Sequence, residues 1–258
     1  MPKRIRKKRR FNSKSAPNTS IDTSQKSVRR HASSRSGGPP GTPGIGYFKG
    51  PSPSVPGGLA IPPIMPDPYE PTIQIGNQVW MSENLKATHY RNGHPIPIEP
   101  DPDLWMQKIT GGRCAYDNDE SNVDTYGYLY NWHAVNDRRG ICPVGWHVPT
   151  DDEWTVLENF ITNDGYAGIE GNALKEIGDE HWDSAGGLDV YGFTGLPGGY
   201  RFNYNGYYLN MGNTGYFWSS TEYNNYYAWR RRLRYSTSEI ARDINSKRSG
   251  VSVRCIAD

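Results

Sequence analysis

Three groups of residues in this chain have types and spacings that could do chemistry: its thiols, one acidic run and one arginine row. Cys114, Cys142 and Cys255 are odd in number and form no CxxC, and the histidines are scattered, so the spacing of a zinc site is missing. Two readings stand for the thiols. One is a single disulfide with one free thiol in an oxidising setting, the other three buried thiols in a reducing one. In the acidic run YDNDESNVD, Asp117, Asp119, Glu120 and Asp124 offer hard oxygens at the close spacing calcium takes. Asn122 stands where an EF-hand loop needs glycine, and Tyr128 where it needs a bidentate glutamate. An acidic turn capping its own backbone fits better, with calcium as the alternative. No phosphate-binding glycine loop, HExxH motif or catalytic triad is evident, and His133, His147 and His181 read as packed beside Trp132, Trp146 and Trp182.

The arginine row is the most informative. In an extended strand Arg230, Arg232 and Arg234 share one face, while Arg231, Leu233 and Tyr235 take the other. Arginine forks beside Tyr223, Tyr226, Tyr227 and Trp229 suit carboxylates, phosphates or sugars, through paired hydrogen bonds and stacking. Asn224, Asn225, Ser236, Glu239, Asp243 and Asn245 complete the candidate ligand-binding surface. Its composition is that of contact surfaces, where Tyr gives rigid area and Ser and Asn adaptable hydrogen bonds. The bland alternative is a solvated strand face, its arginines paired with Glu222, Glu239 and Asp243. Residues 215–258 begin and end on apolar, β-prone segments, 216–218 and 251–256, so the polar run reads as a display surface held between two core strands.

The elements that must carry this surface follow from the rest of the chain. At 258 residues, 35% hydrophobic yet 12% aromatic, with 29 Gly and 20 Pro, the composition points to a loop-rich, strand-containing domain plus an extended segment and excludes a helical bundle. No apolar run reaches the roughly 18 residues of a membrane span, and no apolar run follows the basic N-terminus as in a secretory signal. Residues 1–49 hold 13 Lys or Arg and the single acid Asp22, about +12, whereas residues 50–258 hold 16 basic and 26 acidic side chains, about −10. The chain reads as a cationic arm on an acidic globule. Residues 1–36 are expected to be disordered in isolation. Their block Lys3, Arg4, Arg6, Lys7, Lys8, Arg9 and Arg10 suits a polyanion, nucleic acid or an acidic scaffold; a solvated tail is the alternative. Thirteen of the 20 prolines fall within residues 1–71, so residues 37–71 read as an extended linker. Its apolar residues, Tyr47, Phe48, Leu59, Ile61, Ile64 and Met65, are expected to dock along a neighbouring subunit.

The globule spans residues 72–258. Residues 72–81 alternate about a Gly76-Asn77 turn and predict a hairpin. Residues 126–135 are dense in aromatics and read as core. Thr150 and Glu153 form a capping box at the start of a helix whose apolar positions are Trp154, Leu157, Phe160 and Ile161. A second, shorter helix is expected around residues 172–177. Strands are expected at residues 216–220, 228–235, 239–243 and 251–256.

The segments IGNQVWMSENLK, YGYLYNWHAV, CPVGWHVPTDDEW, GFTGLPGGYR, FWSSTEY and GVSVRCI, in this order across residues 72–258, resemble the Fibrobacter succinogenes major paralogous domain. The resemblance implies a C-type-lectin-like α+β fold, with two helices on small twisted antiparallel sheets and with the first and last strands close together. It also implies a distant likeness to formylglycine-generating enzymes, which need a reactive cysteine pair. Here Cys255 lies in an apolar strand and reads as a buried small hydrophobe; Cys142 could pair with it across the sheet, and no neighbour is placed to activate a thiolate. The lectin-type Glu-Pro-Asn calcium triplet is absent. A narrower resemblance is to the variable proteins of diversity-generating retroelements, often carried by phages. These display a diversified C-terminal patch, as residues 224–249 would between Trp229, Leu233, Tyr235 and Ile240.

Together these readings lead to a non-enzymatic binding or adhesion protein without a cofactor. It would recognise a glycan or protein through residues 222–249 and be tethered through residues 1–71, in many copies, to other proteins of a phage virion. Family members usually carry an export or lipoprotein signal, and the basic arm in its place favours the virion over a bacterial surface or the cytoplasm. Two alternatives remain: a decoration subunit whose arm binds nucleic acid or scaffold, and an oxidoreductase of the formylglycine-generating type.

Overall fold

The computed structural model describes residues 71–258, so the basic arm (residues 1–36) and the linker (37–71, Pro71 apart) lie outside the described residues. The first two strands, β1 (Thr72–Ile75) and β2 (Gln78–Met81), form the expected hairpin. Gly76 takes a positive φ of 59° at its turn, a conformation glycine adopts without steric cost. Next come α1 (Pro102–Gln107), the short ribbon β3 (Arg113–Cys114) and β4 (Leu129–Tyr130), with α2 (Val123–Tyr126) between its strands, and then α3 (Trp132–Val135). Strand β5 (Trp146–His147) leads into α4 (Asp151–Ile161) and α5 (Glu170–Leu174). The last part is β-rich: β6 (Gly198–Arg201) and β7 (Tyr208–Met211) form a hairpin, then β8 (Thr214–Glu222), β9 (Tyr227–Arg234), β10 (Ala241–Ser246) and β11 (Ile256–Ala257). This is an α+β fold of small antiparallel sheets.

Two sheets organise it. In the first, ordered β1-β2-β11-β5, Ile256 pairs with both Trp80 and His147, bringing the two ends of the described chain together. Cys142 and Cys255 are joined beside it, their Cα atoms 6.1 Å apart, while Cys114 stays a buried thiol. The second sheet, ordered β10-β9-β8, carries the arginine row. One core fills the space between this sheet and α4. There Trp154, Leu157 and Ile161 meet Trp80, Phe193, Phe217 and Leu233. A second core gathers Trp132, Tyr130, Trp218, Val251, Val253 and Cys255. The α4 start follows its sequence: Thr150 accepts from the Glu153 N–H and the Glu153 carboxylate accepts from the Thr150 N–H.

Several elements differ from expectation. The second helix begins at Glu170 and stops at Leu174, because Lys175 turns extended; its buried ammonium donates to the Arg234 and Thr237 carbonyls. The third strand of the arginine sheet runs at Ala241–Ser246, later than expected. Residues 251–255 form no regular strand, making single bridges from Val251 to Tyr130 and from Ser252 to Phe217. They are buried on all sides, so their apolar character reflects core position and not a ladder. By hydrogen bonding β9, not β8, is the central strand.

Candidate functional site

Alternation along β9 splits the arginine row between two environments. On the α4 side, Arg231 is 1% exposed and donates to the Asp151 carboxylate and carbonyl, the Glu158 carboxylate and the Thr155 hydroxyl. Arg242, from β10, reaches the same Asp151 carboxylate, with Nη2 2.6 Å from Oδ2. Burial pushes the Asp151 carboxyl up, but hydrogen bonds and charge from Arg242 and Arg231 prevail and hold it below the usual carboxylate range. Glu158, with a share of only one arginine, is raised by its burial. The Arg242 guanidinium lies 3.4 Å over the Trp229 ring, and Tyr223 meets Trp229 edge-on at 5.1 Å.

On the opposite face stand Arg230, Arg232 and Arg234, with Asp243 and Asn245 from β10. Asp243 is directly opposite Arg230 in the ladder. It accepts from both neighbours, 2.6 Å from Arg230 Nε and 3.0 Å from Arg232 Nη1. Arg230 is 8% exposed, its guanidinium 4.3 Å over the Tyr216 ring and 5.7 Å over Tyr200. The expectation of one open row is therefore corrected: Arg230 is sunk between two tyrosines, the Arg232 side chain is 22% exposed, and only Arg234 stands fully out. The candidate surface is also not one face. Tyr227 and Trp229 project to the α4 side, and Arg230, Arg232, Arg234, Asp243 and Asn245 to the other.

The tip of the β8–β9 hairpin is held by Asn224, whose side-chain oxygen accepts from the Tyr226 and Tyr227 N–H groups. This leaves Tyr223, Asn225 and Tyr226 exposed, Tyr226 at 75%. Ser236 and Glu239 are exposed on the β9–β10 connection. Residues that sequence reasoning missed adjoin the Arg230 face. Tyr200 packs tilted against Tyr216 at 4.9 Å, Phe202 meets Tyr200 edge-on at 6.0 Å, and Tyr204 lies tilted against Phe202 at 6.2 Å, a row running from Arg230 towards solvent. Their spacing by two from β6 was the available signal.

Elsewhere, the acidic turn satisfies itself: Asp119 accepts from the Ser121 N–H and hydroxyl, and Glu120 accepts from the Tyr128 hydroxyl. The histidines do more than pack beside tryptophans. His147 bridges Glu153 and Asp258, each at 2.8 Å, and His181 contacts Glu176. Glu176, Glu180 and His181 each bring a ligand atom to within 4.8 Å of the others, a donor set a cation could use. A cleft of about 850 Å³ opens between residues 92–94, 109–111 and 132–139. At its edge Arg139 forks onto Asp137 at 2.8 and 2.7 Å and covers the Tyr90 ring at 4.0 Å. Burial pushes the Cys114 thiol up to about 11.

The fold and this surface define a small-sheet α+β domain with an arginine- and tyrosine-bearing terminal sheet. A family model, the Fibrobacter succinogenes major domain, matches residues 73–257, and the chain belongs to that family. Comparison with the curated proteins and with the solved structures returns no match.

Proposed function

We propose that this is a non-enzymatic recognition protein whose terminal sheet binds a surface ligand, and that residues 1–71 tether it to a larger assembly such as a phage virion. The observation that carries the reading is the contrast within one hairpin. Strands β8 and β9 are locked onto α4 through Arg231, while the tip between them holds out Tyr223, Tyr226 and Tyr227 in a turn fixed by Asn224. Rigid aromatics on a braced scaffold are what recognition surfaces use.

The finer reading of the fold as C-type-lectin-like is supported by the closeness of the first and last strands and by helices packed on small sheets. Display of a diversified patch is supported by the concentration of exposed polar and aromatic residues at 223–226 and 234–239. The Cys142–Cys255 disulfide is of the kind found on extracellular and virion surfaces. The joining of Cys142 to Cys255 and the burial of Cys114, which pushes its thiol up to about 11, support the non-enzymatic reading over formylglycine-type chemistry. The test is adhesion of the labelled full chain to a panel of bacterial cells. Tyr223→Ala with Tyr226→Ala should lower adhesion about tenfold or more, the scale of a lost aromatic anchor, with the melting temperature unchanged. Adhesion equal to that of the unaltered chain removes these residues from the site.

A further inference from the structure

Among the described residues seven buried side-chain atoms find no hydrogen-bond partner, and three of them share one small area. They are Arg230 Nη1, Arg232 Nε and Asn245 Nδ2, on the same face of adjacent strands. All three are donors. Native proteins keep few such orphans, because each costs the desolvation of a polar group with nothing in return, so a cluster of one polarity marks a place where the fold itself supplies too few acceptors. Charge leads to the same conclusion. Arg230 and Arg232 share the single carboxylate of Asp243, which leaves one positive charge uncompensated beside two tyrosine faces.

The row of aromatic rings indicates what an anion held here would be part of. Tyr216, Tyr200, Phe202 and Tyr204 step outward from Arg230, Tyr204 being 79% exposed, so a ligand anchored at the arginines would continue along flat apolar rings. Sugar rings bury C–H faces on such rings and keep hydroxyls for an amide like that of Asn245. A nucleic acid also stacks and carries anions. However, residues 50–258, with 26 acids against 16 bases, repel an extended polyanion and accept a localised charge. We propose that this face binds an acidic oligosaccharide, its carboxylate held by Arg230 and Arg232 and its sugar rings lying along Tyr200, Phe202 and Tyr204. The inference rests on the recognition reading above and names the ligand class for one side of that sheet.

The experiment is calorimetric titration of the full chain, at about 0.15 M salt to limit long-range attraction to the basic arm. The acidic probes are 3′-sialyllactose and digalacturonate, the neutral ones lactose and maltose, and a short oligothymidylate is the competitor. One of the acids should bind about tenfold tighter than its neutral counterpart, the scale of a charge-assisted hydrogen bond. Arg232→Gln should abolish that preference. Tyr204→Ala, at an exposed hairpin tip, should weaken acid binding several-fold without touching the fold. Failure of both acids, equal binding of the neutral sugars, a preference that survives Arg232→Gln, or oligothymidylate winning at the Arg232-dependent site each overturns the proposal. If both acids fail while Tyr223 and Tyr226 still govern adhesion, the recognition reading stands and only the ligand class falls.

Discussion

The two faces of β9 put the same side chain to opposite uses. Towards α4, Arg231 is saturated: two carboxylates, a hydroxyl and a carbonyl accept from it, and Arg242 braces the same Asp151. Away from α4, Arg230 and Arg232 divide one carboxylate and leave donors idle. A buried charge with every partner in place is scaffold, since removing any part strands the others. A buried charge short of a partner has capacity left over. Satisfaction, more than exposure or charge, separates the two faces.

The widest gap should appear on substitution. Arg231→Ala would leave Asp151 and Glu158 facing each other and should cost about 3–5 kcal/mol in denaturant unfolding. Arg230→Gln should cost about 1–2 kcal/mol, because Asp243 keeps Arg232. Equal losses would erase the distinction between the faces. Acid should probe the saturated face next. The folded Asp151 pKa lies below its ordinary 3.8, so its contribution is complete above that value and is lost as pH falls through the folded pKa. Stability measured from pH 5 downward should therefore drop less in Asp151→Asn than in the unaltered chain; parallel curves would place the acid sensitivity elsewhere. The smallest change belongs to the open face. Arg232→Gln should shift stability by no more than about 0.5 kcal/mol, as for a partly exposed ion pair. A larger loss would make Arg232 part of the scaffold.

Local signals were legible in advance. The Gly76-Asn77 turn and the Thr150–Glu153 box are settled within a few residues, and both elements lie where the sequence puts them. Alternation also separated Arg231 from Arg230, Arg232 and Arg234. What alternation could not supply was depth. Arg230 is buried because Tyr200, about thirty residues earlier, closes over it, and Arg231 is neutralised by Asp151 and Glu158, more than seventy residues earlier. Likewise residues 251–255 look like a strand, since full burial and strand pairing both select apolar side chains. The role of Lys175 in ending α5 depends on carbonyls near residue 235 that no local pattern announces.

The disulfide has a consequence for how this domain can change. Cys142 and Cys255 close a loop of 113 residues that contains α4, α5 and the whole β8–β9–β10 sheet. By loop-closure entropy such a link stabilises a fold by about 4.7 kcal/mol. An average substitution costs about 1 kcal/mol, so the link offsets several of them at once. Changes gathered at residues 223–226 and 234–239 could therefore accumulate without bringing the domain to its unfolding threshold. The covalent tie lies outside residues 223–226 and 234–239, beside the β1-β2-β11-β5 sheet. Substitutions at those residues would leave the frame closed by this tie unaltered.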